Sequence, residues 1–125
     1  MSNLRHSKEL VWNGIIPVEP YPHKSYSVLR TERSIKEDMH RHLPIIPNAE
    51  KEGRFSVQLT FYINGDRHKR YPRLDLDNLI KSTLDRLESF FWLDDSQIDE
   101  IMARVHRPST RKAMRIKVYK FADIL

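Results

Sequence analysis

Phe55, Val57, Leu59, Phe61 and Ile63 fall on one side of an extended chain, and Ser56, Gln58, Thr60 and Tyr62 fall on the other. Alternation with period two predicts a strand over residues 54–63 with one buried face. Asn64-Gly65 supplies strong turn chemistry at its end. Met114, Ile116 and Val118 alternate in the same way with Arg115, Lys117 and Tyr119, which predicts a strand over 112–121. Apolar stretches at 98–105 and at 9–16 predict two more, the latter anchored by Val11 and Trp12. Ile35, Met39 and Leu43 recur at every fourth position and predict a helix over 31–43, with Thr31 or Ser34 as N-cap and Pro44 as its stop. Ile80, Leu84 and Leu87 mark the apolar stripe of a second helix over 77–90. Pro17, Pro20 and Pro22 keep residues 17–30 extended. Residues 44–53 form a loop, and 106–110, with Pro108, turn the last two strands into a hairpin. The expected fold is α+β: a small mixed sheet of about four strands with two main helices, in a single domain over 1–125.

Charge narrows the partners. Lys and Arg outnumber Asp and Glu by 22 to 17, a net charge of +5 over 125 residues, and six His add positive charge in mild acid. Such an excess favours an anionic partner, nucleic acid foremost. There is no Cys, which excludes disulfides and thiolate metal sites and fits a reducing cytoplasm. No apolar run approaches a membrane span, and the first ten residues lack the apolar core of a secretory signal. A protein acting in the cytoplasm and not on membranes is expected. His23, His40, His42, His68 and His106 show no metal-ligand spacing and read as surface or DNA-proximal residues.

The chemistry concentrates in Arg73-Leu74-Asp75-Leu76-Asp77-Asn78-Leu79-Ile80-Lys81. Asp75 and Asp77, two apart, share a face if the backbone is extended. A pair of carboxylates without Cys or clustered His suits a hard cation, Mg²⁺ with Mn²⁺ as a substitute. Asn78 is placed to orient a ligand or a metal-bound water. Lys81, one helical turn beyond Asp77, is placed to meet a phosphate or a leaving oxygen. Each of these residues also has an ordinary structural use: Asp caps helices, and Asp-to-Lys at i,i+4 is a common surface pair. Trp92-Leu93-Asp94-Asp95-Ser96-Gln97 brings two more carboxylates, in a sequence that is also a good turn. D-x-D-N-x-x-K followed at this distance by W-L-D-D-x-Q is far more specific than either piece alone.

Residues 73–97 resemble the RusA-type Holliday-junction resolvases. The resemblance implies that Asp75, Asp77 and Asp95 form an acidic metal site and that Lys81 is needed for cleavage. It also implies a Mg²⁺-dependent endodeoxyribonuclease of recombination and repair, bacterial or phage-borne, that acts on four-way junction DNA. Paired symmetric nicks leaving ligatable ends then call for two sites on a two-fold axis, hence a homodimer. Leu74 departs from the family, which has a basic residue or Pro there in many members; Lys69, Arg70 and Arg73 are the nearest replacements for a DNA contact. Arg104, Arg107 and Arg111, with Lys112, Arg115 and Lys117, are candidates for a phosphate track, or for a solvated strand edge and loop. Phe90, Phe91 and Trp92 read as core or dimer contact before base-stacking wedge.

Asp77 and Asp95 bracket the second predicted helix. Residues 77–90 span roughly 20 Å as a helix, and the five that follow reach at most about 17 Å. A site within one chain therefore requires the helix to end early or bend, which is the expectation, or Asp77 to precede it; otherwise a dimer mate supplies part of the site. Two competing functions are a same-fold nuclease acting on flaps or forks, and a non-catalytic DNA-binding protein whose Asp residues are caps and turns.

Overall fold

The computed structural model describes residues 7–21, 31–44, 52–63, 75–107 and 110–122. Strands β1 (Lys8–Ile16), β2 (Phe55–Tyr62), β3 (Ile98–His106) and β4 (Ala113–Phe121) form one sheet in the order β1-β4-β2-β3. β4 is antiparallel to both its neighbours, and β3 runs parallel to β2. Helices α1 (Glu32–His40) and α2 (Leu76–Leu87) complete the mixed α+β fold expected from the pattern.

The expected C-terminal hairpin does not form, because β2 lies between β3 and β4. Parallel strands need a crossover, and α2 supplies it, so that β2-α2-β3 is a βαβ unit. β3 is thereby committed to the edge beside β2, and β4 closes the gap between β2 and β1.

The strand alternation sorts as the period dictates. Phe55, Val57, Leu59 and Phe61 pack with Met114, Ile116 and Val118 under a layer that includes Ile35 and Met39 of α1, Leu43 beyond it, and Leu79, Leu84 and Leu87 of α2. On β1 the anchoring role divides differently from expectation. A bulge between Leu10 and Trp12 turns Val11 outward, 47% exposed, while Trp12 packs against the core. The Trp12 indole lies over Gly14, where any Cβ would meet the ring at 2.5 Å, and stacks on Phe91 at 6.0 Å. Thr31 caps α1 by accepting from the Ser34 backbone N–H at 3.1 Å.

A buried cation ties the helices together. Arg86 is 1% exposed and donates to both carboxylate oxygens of Glu32, at 2.8 and 2.7 Å. Its third bond, 2.5 Å long, goes to the Tyr21 carbonyl, which also accepts from Ser82 Oγ at 3.0 Å. His40 Nε2 lies 2.8 Å from the Arg86 carbonyl oxygen, and its ring packs on Phe90. His40 is therefore a packing residue rather than a surface one. No described helix is long and apolar enough to cross a membrane.

Candidate metal centre

α2 begins one residue earlier than its stripe suggested and ends three residues sooner, so Asp77 lies inside it. Asp75 is its N-cap, with extended backbone (φ −107°, ψ 165°) and a carboxylate oxygen accepting from the Asn78 N–H at 3.2 Å. The structural use of this aspartate is realised, and it leaves Oδ2 outside the cap bond. Asp77 and Lys81 are exposed one turn apart, and no ion pair joins them among the described residues.

Beyond Leu87 the chain reverses abruptly. Ser89 takes φ 71°, the left-handed conformation usually given to glycine after a helix. Its N–H donates to the Trp92 carbonyl at 2.7 Å, and the Phe90 N–H to the Leu87 carbonyl at 3.0 Å. Because a side chain is disfavoured there by up to about 1–2 kcal/mol, Ser89→Gly is expected to raise stability by about 0.5–1 kcal/mol. Urea unfolding of the two proteins checks this: an unchanged or lower midpoint would show that Ser89 contributes more through its hydroxyl than its backbone costs.

The reversal carries the chain into a short 3-10 turn, Asp95–Gln97, which three buried or anchored groups hold in place. Trp92 is fully buried and packs against Phe55 and Phe91. Gln97 is buried, and its Oε1 accepts from the N–H groups of Leu93 (2.9 Å) and Asp94 (3.1 Å), while Nε2 donates to the Gly53 carbonyl. Arg54 donates to the Ser96 carbonyl and to both oxygens of Asp99. That bonding holds the Asp99 carboxyl below its ordinary range. With its flanks fixed, the turn presents Asp94 and Asp95 to solvent, and Ser96 Oγ donates to Asp94.

Carboxylate oxygens of Glu88, Asp94 and Asp95 lie within 4.8 Å of one another. Three exposed or half-exposed carboxylates this close repel, and a hard divalent cation relieves the repulsion with ligands it prefers. The donor set therefore fits such an ion. Asp75 and Asp77 do not join this group among the described residues. They stand at the opposite end of a 12-residue helix, about 18 Å long. The helix does end early, as a one-chain site requires, but that does not bring the three expected carboxylates together.

Glu88 is the residue that sequence reasoning missed. A signal was present: an acid at the C-terminal end of a helix opposes the macrodipole and calls for another use. Phe91 and Trp92 are buried and Phe90 packs against the core, so the core reading of this aromatic cluster holds, and Phe91 and Trp92 are unavailable as wedge or interface. Arg104, Arg107 and Arg111 are exposed near the β3–β4 connection, whereas Lys69, Arg70 and Arg73 lie outside the described residues. A family model described as Endodeoxyribonuclease RusA matches residues 21–119 of the 125. That stretch holds both ends of α2 and the acidic turn. No curated protein matches the chain.

Proposed function

This chain belongs to the RusA endodeoxyribonuclease family, and from that premise we propose that it resolves four-way junction DNA by paired, metal-dependent nicks in recombination and repair. The observation that carries the reading is the match over residues 21–119, taken with the acidic groups at the two ends of α2. The catalytic set is Asp75, Asp77, Asp95 and Lys81, with Mg²⁺ held by the three aspartates. Glu88 and Asp94 support Asp95 in holding the ion.

The separation of these groups within one protomer favours a site completed by a second copy. Two α2 helices brought side by side in opposite directions set Asp75 and Asp77 of each beside the acidic turn of the other. A two-fold axis then gives two equivalent sites, one for each nicked strand. When bound, a divalent cation supplies charge to hold the scissile phosphate and acidity to activate water. The chain's own groups do the rest. Asp75 and Asp77 orient the ion on a rigid helix start. The Asp94-Asp95 turn, locked by Gln97 and Arg54, presents its carboxylates without reorganisation. The Lys81 ammonium lies on the same helix face as Asp77 and meets the negative charge developing on the leaving 3′-oxygen.

The reading is tested by cleavage of synthetic four-way junction, flap, fork and linear duplex DNA with and without Mg²⁺. Junction cleavage by paired nicks is expected; flap or fork cleavage in its place would move the substrate class. One observation favours the non-catalytic alternative: Asp75 serves as a helix cap and lies apart from Asp95 in the single chain. A protein of that kind binds junctions equally with and without Mg²⁺ and never nicks them.

Lys81→Ala is expected to lower the single-turnover nicking rate on the order of 10²-fold, while junction affinity and its salt dependence stay nearly fixed. Lys81→Arg restores only part of the rate, since the guanidinium differs in size and shape. Wild-type cleavage by Lys81→Ala at saturating enzyme would make Lys81 a docking residue instead.

A further inference from the structure

The face of the sheet turned away from the helices carries a groove of about 320 Å³, and its walls are cationic. Strand register places Arg115 and Arg104 on either side of Thr60, and Lys117 and Met102 on either side of Gln58. Tyr62 closes one end, with the Arg111 guanidinium 5.6 Å from its ring centroid and the His106 ring 5.5 Å away. Neighbouring strands lie about 4.8 Å apart and alternate residues about 6.7 Å apart. Arg104, Arg115 and Lys117 are thus rooted within roughly 12 Å of one another, close to one Debye length, about 10 Å, at 0.1 M salt.

Nothing among the described residues neutralises them. No acidic side chain lines the groove. Glu100, the acid on this face, sits at the far end of β3, bonded by Lys8 at 2.8 Å and by Ser56 Oγ at 2.5 Å. Arg115, a half-buried residue of the groove lining, has its Nε shielded from solvent and without a hydrogen-bond partner. A buried donor left unsatisfied is a cost to the folded protein, carried here by a residue of the groove wall.

We infer that this sheet face is a second nucleic-acid surface, which grips the phosphate backbone of a DNA arm on the layer opposite the acidic groups of α2. The groove is lined by cations, hydroxyls and amides in a row, which matches a line of phosphates and offers no pattern for reading bases. A second copy of the chain does not fit there, since it would set three cations against three. The inference rests on the proposed function only for the identity of the polyanion as DNA.

Binding of fluorescently labelled linear duplex and four-way junction is measured in EDTA across a range of salt, for the unaltered protein and for the triple variant Arg104→Gln, Arg115→Gln, Lys117→Gln. Each lost phosphate contact lowers the slope of log K against log salt by about 0.9. A slope reduced by about 2 to 3 is expected on both DNAs, with affinity at least about tenfold weaker near 0.1 M salt. An unchanged slope in a folded triple variant overturns the inference. So does an unchanged slope accompanied by a change of mass in sedimentation, which would make the face an interface between copies. If circular dichroism shows the triple variant unfolded, the double variant Arg104→Gln, Lys117→Gln keeps the half-buried Arg115 and is expected to lower the slope by about 2. A protein that binds with this slope change but never nicks any DNA sinks the proposed function and leaves the second surface standing. Nicking with no slope change does the reverse.

Discussion

An equimolar mixture of Asp77→Asn and Asp95→Asn chains is expected to nick four-way junction DNA in Mg²⁺, although each variant alone is expected to be on the order of 10³-fold slower than the unaltered protein. The reason lies in the 12-residue α2. If each site takes Asp75 and Asp77 from one protomer and Asp95 from its partner, a mixed dimer gathers both defects into one site and leaves the other intact. Random exchange makes about half the dimers mixed, so about a quarter of the wild-type number of sites returns. The products are then single nicks rather than paired ones. Single-turnover cleavage of end-labelled junctions, after the chains have been allowed to exchange, reads both quantities. A mixture as inactive as its components, with junction binding intact, would mean that each chain builds its own site.

Glu32→Ala is expected to destabilise the protein by about 3 kcal/mol, and Arg86→Met by less, about 1–2 kcal/mol. The asymmetry follows from burial. Arg86 is 1% exposed, whereas the Glu32 side chain is 48% exposed. Removing the glutamate strands a guanidinium inside the protein, with the Tyr21 carbonyl as its remaining partner among the bonds described above. Removing the arginine leaves a carboxylate that water reaches, and a Tyr21 carbonyl that keeps its bond from Ser82. Half-exposure of Glu32 sets the estimate at the lower end of the usual range for a broken buried pair. Urea unfolding compares the two variants. The reverse order would mean that Arg86 acts chiefly through its packing volume rather than its charge.

Most of the secondary structure was legible because it rests on short-range periodicity. Phe55 to Ile63 alternate with period two and make β2, and Ile35, Met39 and Leu43 make one buried stripe at α1. The β3–β4 hairpin was misread because a six-residue connection between two strands looks the same whether they pair or straddle a third. Only long-range pairing, the claim of β2 on both, decides it. Val11 was misplaced because one bulge residue reverses the sides on which the chain's neighbours fall. For the site, the motif located the acids but not their company. Glu88 joins Asp94 and Asp95 only through the left-handed turn at Ser89, and nothing in the local pattern announces a positive φ at a serine.

The strand order also constrains the sequence in which the sheet can assemble. β4, the last strand to emerge, is the one on which β1, the first, depends: Lys8 pairs with Phe121 and Ile16 with Met114. β2 and β3 can join through α2 without either outer partner, but β1 must wait with Trp12 and Ile16 unprotected until β4 is in place. Closing so long a loop is slow relative to local pairing, so an intermediate that has joined β2 to β3 but not yet placed β4 holds an unpaired β1 and an open β2 edge, both competent to pair with another chain. That intermediate is the stage of folding at which aggregation between chains competes most directly with completion of the sheet.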